Sequence, residues 1–121
     1  MRNILPSGAQ ELLHQTDIPS LETAVSDEVE SVLLKLWQGK DLDPGELGLD
    51  ITPAELAATW TITHRRPVRM DTARQMVRRR SEPIKPSRQW GSGPAVRRLY
   101  RLGDVLEVRI REKRTSDAAH S

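Results

Sequence analysis

The chain has 121 residues, of which 36% are hydrophobic and 30% charged, with a net charge of +2 and no cysteine. That length suits one domain, or one small domain with an appendage. The lack of cysteine excludes disulfides and thiolate metal centres and makes a reducing, cytoplasmic setting the expectation. His14, His64 and His120 have no ligand spacing, so no metal or other cofactor is expected. No apolar run is long enough to span a membrane, and "MRNILPSGAQE" lacks the hydrophobic stretch of a signal peptide.

Residues 1–19 read as an N-terminal arm with one short helix in "PSGAQELLHQ", carrying Leu12 and Leu13. Pro19 breaks the chain, and Ser20 is placed to cap a helix over 21–38, "LETAVSDEVESVLLKLWQ". Its apolar residues, among them Val25, Val29, Val32 and Leu36, recur at helical intervals. Gly39 suits a left-handed C-terminal cap, with Lys35 and Lys40 at the negative end of the helix dipole. Segment 20–39 is thus read as an acidic amphipathic helix, used for dimerisation or for packing. The four-three-four spacing of Val25, Val29, Val32 and Leu36 suits a homodimer seam. Folding back onto the chain's own domain and docking on a recombinase or polymerase subunit are the alternatives. Pro44, Gly45 and Gly48 mark 40–50 as a linker.

The charge changes sign across that linker. Residues 1–50 hold three Lys/Arg against ten Asp/Glu, whereas 51–114 hold sixteen against six, and fourteen of those sixteen are arginine. Such asymmetry points to a polyanion-binding half joined to an acidic half with another task.

"ITPAELAATWTI" opens the basic half with a capping box: Thr52 at the N-cap, Pro53 first in the helix, Glu55 three residues after the cap. Ile51, Leu56, Ala57 and Trp60 are expected in the core. Pro67 prevents the helix from continuing through "THRRPVRM". Asp71 is read as the N-cap of "TARQMVRRR", in which Ala73, Met76 and Val77 share one side and Arg74, Gln75, Arg78 and Arg79 the other. Pro83 and Pro86 forbid helix, and "GSGP" separates two short strands, about 87–90 and 95–100. "LGDVLEVRIREK" then starts a helix with Val105, Leu106, Val108 and Ile110 as its apolar set, and 115–121 reads as a flexible tail.

"ITPAELAATWTIT", "TARQMVRRR" and "RRLYRLGDVLEV" together resemble the winged helix-turn-helix domains of the excisionase and MerR-like kind, over about residues 51–111. The resemblance implies a mainly α fold: a small winged helix-turn-helix with a two-stranded wing over 51–114, preceded by the acidic helical segment. It implies base reading by Arg74, Gln75, Arg78 and Arg79 on a recognition helix, because arginine pairs with guanine and glutamine with adenine in the major groove. Arg65, Arg66 and Arg69 in the turn, with Lys85, Arg88, Arg97, Arg98 and Arg101 along the wing, are implied as phosphate contacts. Tyr100 is expected in the core.

No pair of carboxylates is placed for acid–base work, and there is no cysteine nucleophile or phosphate-cradling loop, so an enzyme is not expected. The expected function is sequence-specific binding of double-stranded DNA, by a transcriptional regulator or an excisionase-type architectural factor of a phage or mobile element. The alternative is a non-catalytic assembly module, such as a phage structural or packaging component or an RNA-binding protein, whose basic half meets an acidic partner. On either reading no membrane is involved. The basic half is expected to bind duplex DNA by itself.

Overall fold

The computed structural model describes residues 4–79, 84–91 and 97–106. The chain is mainly helical with a small three-stranded antiparallel sheet. In order the elements are α1 (Ser7–His14), α2 (Leu21–Ala24), α3 (Asp27–Gln38), α4 (Pro44–Leu47), β1 (Asp50–Ile51), α5 (Pro53–His64), α6 (Met70–Arg78), β2 (Arg88–Trp90) and β3 (Arg97–Arg101). A short helical run over 102–106 follows β3. Among the described residues no helix is long and apolar enough to cross a membrane. The "GSGP" turn beyond Gly91, Pro83, Val108, Ile110 and the 115–121 tail lie outside the described residues.

The central element is α5, against which α1, α3, α6, β1 and β3 all pack. Nine of its twelve residues are buried, including Thr59, Thr61 and Thr63 as well as the expected Leu56, Ala57 and Trp60. Those threonines tolerate burial because their hydroxyls bond within the helix: Thr59 donates to the Glu55 carbonyl at 2.8 Å and Thr61 to the Ala57 carbonyl at 2.7 Å. A helix enclosed on every side has no polar stripe to reveal its phase. The sequence therefore does not show which face of α5 each neighbour covers.

The expected single helix over 21–38 is two helices. Val25 is extended (φ −108°, ψ 116°), and Ser26 restarts the helix by accepting the Val29 N–H at 3.3 Å on its hydroxyl. Asp27, Glu28 and Glu30 then fill the first turn, where negative charge meets the positive end of the dipole. Ser20 does not cap with its side chain. Its backbone is left-handed (φ 51°), and its carbonyl accepts the Thr23 and Ala24 amides. Gly39 does take the left-handed cap (φ 73°).

The stripe read as a dimer seam lies inside the molecule. Val25, Val29 and Val32 are each at most 2% exposed, and Leu36 is half-buried against the same core. The reason is that α3 folds back on α5, the packing alternative raised above. Among the described residues the one large hydrophobic side chain left exposed is Ile4.

Segment 40–50 is structured. Asp43 and Glu46 form a capping box on α4, and Lys35 Nζ donates to Glu46 Oε1 at 2.7 Å, tying α4 to the end of α3. Then β1 pairs with β3, Asp50 opposite Arg101 and Ile51 opposite Tyr100, so the sheet order is β1-β3-β2. One contiguous core takes in side chains from Leu5 to Leu106. The change of charge at residue 50 marks no structural boundary.

Candidate nucleic-acid interface

The helix pair α5–α6 begins with the expected capping box. Thr52 Oγ1 accepts the Glu55 N–H at 3.2 Å, and Glu55 Oε1 accepts the Thr52 N–H at 3.0 Å. Glu55 does more than the box requires: its second oxygen accepts the Ser26 N–H at 3.1 Å. One buried carboxylate thus joins the starts of α3 and α5.

The turn Arg65–Arg69 is held from within. Thr61 Oγ1 accepts the Val68 N–H at 3.0 Å, and Val68 is buried. The Arg66 N–H returns to the Thr61 carbonyl at 3.2 Å. Arg65 ends α5 in the left-handed region (φ 56°), which a residue bearing a Cβ occupies at a cost of roughly 1–2 kcal/mol. The cost is offset locally: its guanidinium stacks 3.7 Å from the Trp37 ring centroid and donates to the Trp37 carbonyl. Trp37 in turn packs against Gly8 of α1. Of the three turn arginines assigned to phosphate, Arg65 is therefore engaged with its own chain.

Helix α6 divides as its sequence suggests. Ala73 and Val77 are buried, Met76 is half-buried, and Arg74, Gln75, Arg78 and Arg79 are exposed. Its start differs from expectation. The N-cap is Arg69, whose side chain makes no cap bond, and Asp71 lies one residue inside the helix, where it pairs with Arg74 at 3.6 Å. The cap comes from elsewhere in the chain. Asp17, between α1 and α2, accepts the Met70 N–H on Oδ1 at 2.7 Å, while its Oδ2 lies 3.8 Å from Arg69 Nε.

After α6 the Ile84 N–H bonds the Val77 carbonyl at 3.3 Å, which starts the return path to the hairpin. Strand β2 pairs with β3 in the register Arg88–Leu99, Gln89–Arg98, Trp90–Arg97. Side chains alternate along a strand, so Arg97, Leu99 and Arg101 share one face and Arg98 and Tyr100 the other. Tyr100 is buried and paired with buried Ile51, which makes its face the inner one. The expected trio Arg97, Arg98 and Arg101 therefore splits: Arg97 and Arg101 are exposed on the outer face, and Arg98 is half-buried on the inner one.

Two outer arginines have acidic neighbours. Arg88 Nε lies 3.4 Å from Asp50 Oδ2, and Arg101 Nη1 lies 3.2 Å from Asp104 Oδ1. Asp50 also accepts the Ser87 hydroxyl at 2.6 Å. Arg66, Arg78, Arg79, Lys85, Arg97 and Arg98 have no acidic partner among the described residues. At the junction beyond β3, a Cβ on Gly103 would lie 3.0 Å from the Leu47 carbonyl oxygen and 2.9 Å from Arg101 Nη1. The "RLGD" sequence keeps its glycine because backbone passes so close.

Asp17, Thr61, the second bond of Glu55 and the contact of Trp37 with Arg65 were not singled out from the sequence, in which Trp37 reads only as a core residue. Each acts across a distance in the chain or through a hydroxyl, and neither leaves a periodic signal. "SDEVE" did carry one for the restart of α3, an N-cap serine followed by an acidic first turn. No known protein family, curated protein or solved structure matches the chain.

Proposed function

We propose that the chain binds double-stranded DNA as a winged helix-turn-helix of the excisionase and MerR-like kind that "TPAELA", "TARQMVRRR" and "RRLYRLGDV" resemble, acting as a regulator or as a DNA-bending factor. The observation that carries this reading is α6, whose apolar side is seated in the core while Arg74, Gln75, Arg78 and Arg79 stay in solvent. Such a helix presents guanidinium forks and an amide to whatever approaches, the donor and acceptor chemistry that reads base edges in a major groove. The antiparallel hairpin β2–β3 after α6, with Arg88, Arg97 and Arg101 on its outer face, supports the wing. Arg66, Arg79, Lys85 and Arg97 are the cations best able to take phosphates, since none is neutralised by a described acidic group.

Selection of bound sites from a random duplex library, followed by titration of the full chain against the selected duplex, tests the reading. With about five phosphate contacts, log K against log[salt] should slope near −4 to −5. Arg78→Ala is expected to lose about 1–3 kcal/mol on the selected site and to relax base choice. Arg97→Ala should weaken every duplex alike and reduce the slope by about 1. A flat salt response, or equal binding to an acidic polypeptide, would favour the assembly-module reading instead.

A further inference from the structure

We infer that Asp17 is a positioning residue that fixes how α6 is presented, an inference that rests on the DNA-binding reading of α6. The helix has nine residues and no side-chain cap of its own at Arg69. A helix of that length is marginal in isolation, and its first turn frays unless its amides find acceptors. Here the acceptor is imported from the α1–α2 connector: Asp17 Oδ1 takes the Met70 amide at 2.7 Å.

That connector is itself anchored. Thr16 Oγ1 donates to the Leu13 carbonyl at 2.6 Å and accepts the Ile18 N–H at 3.4 Å, and Ile18 is buried in the core. The carboxylate is therefore held on a fixed piece of backbone that belongs to the acidic half of the sequence. It determines where the first turn of α6 begins, and so the direction in which Arg74, Gln75 and Arg78 project.

Charge and geometry make opposite demands on this residue. By charge alone, a carboxylate beside Arg69 opposes a polyanion, and removing it should strengthen DNA binding. By geometry, removing the acceptor loosens the reading helix and should weaken binding. Asp17→Asn drops the charge and keeps a carbonyl oxygen for Met70. Asp17→Glu keeps the charge and displaces the oxygen by one methylene.

The test uses the full chain and the duplex selected by the wild type, read by fluorescence anisotropy beside a scrambled duplex. Exchange of the Met70 and Ala73 amides is followed by NMR on the free protein. Asp17→Ala is expected to bind the selected duplex about five- to tenfold more weakly, with reduced preference over the scrambled duplex and an unchanged salt slope. Asp17→Glu should lose affinity in the same direction, and Asp17→Asn should match the wild type or exceed it. Exchange at α6 should quicken in the Ala and Glu variants and not in Asn. Affinity that rises in Asp17→Ala, or is unchanged in Asp17→Glu, would overturn the assignment. Should the wild type bind no duplex, the DNA reading falls alone, because the exchange pattern still decides whether Asp17 holds α6. Should Asp17→Ala fail to fold, the Glu and Asn pair decides by itself.

Discussion

A single carboxylate, Glu55, satisfies three demands at the junction of α3 and α5: the Thr52 amide, the Ser26 amide and a favourable charge at a helix start. Glutamine at this position offers one oxygen in place of two. Glu55→Gln is therefore expected to leave one buried amide unmet, at a cost of about 1–3 kcal/mol, and Glu55→Ala to leave both and cost more. Urea unfolding of the three proteins checks the order. The box itself was readable from Thr52 and Glu55 because both partners lie within one turn. The Ser26 bond was not readable, since nothing in "SDEVE" names a partner on another helix. Gly103 gives a second residue-scale expectation. Its added methyl meets backbone at Leu47, which cannot swing aside as the Arg101 guanidinium can. Gly103→Ala should therefore lose about 1–3 kcal/mol in the same assay.

Among elements, α3 shows most directly what periodicity conveys and what it omits. The spacing of Val29, Val32 and Leu36 identified the apolar stripe of α3, with Val25 buried from the extended stretch before it, but a stripe does not say what covers it. In the fold α5 covers it. Val32→Asp is consequently expected to lower stability by about 4 kcal/mol or more, through a buried unpaired charge, with no change of mass in sedimentation. At the other end of α3 the Lys35–Glu46 pair gives a pH dependence. The hydrogen bond from Lys35, then that from the Asp43 amide, holds Glu46 below its ordinary value of 4.5. The same bond raises Lys35 above 10.5. The pair's contribution is complete above the unfolded glutamate value and fades as pH falls through the lowered one. On the lysine side it is complete below 10.5 and fades as pH rises through the raised value. Thermal unfolding of Glu46→Gln between about pH 3 and 7 should show a flatter acid limb than the wild type. The β2–β3 pair was legible as two strands around "GSGP", and the face of each arginine follows from counting by twos along β3. Strand β1 was not legible, because two residues carry no alternation.

For the molecule as a whole, the sequence suggested an acidic segment and a basic domain joined by a linker, and the charge division is real. Packing crosses it throughout. Leu13, Val29, Val32 and Leu33 lie in the same core as Leu56, Trp60 and Ile62, and Asp17 reaches across to α6. A fragment of residues 51–114 would leave the α5 surface that meets α1 and α3 in water. Circular dichroism and proton NMR of that fragment should show little helix and no dispersed methyl signals, in contrast to the full chain. Native-like spectra from the fragment would restore the two-part organisation that the charge pattern suggested.

The pairing of β1 with β3 has a consequence for how the protein is made. Asp50 leaves the ribosome well before Arg101, and Leu102, Val105 and Leu106 follow later still. Until they arrive, β1 has no partner and part of α5 has no cover, so a nascent chain that ends before residue 97 exposes apolar helix surface to chaperones and proteases. Closure waits for β3 and the helical run over 102–106. A premature stop there should yield a rapidly degraded chain rather than a smaller working one.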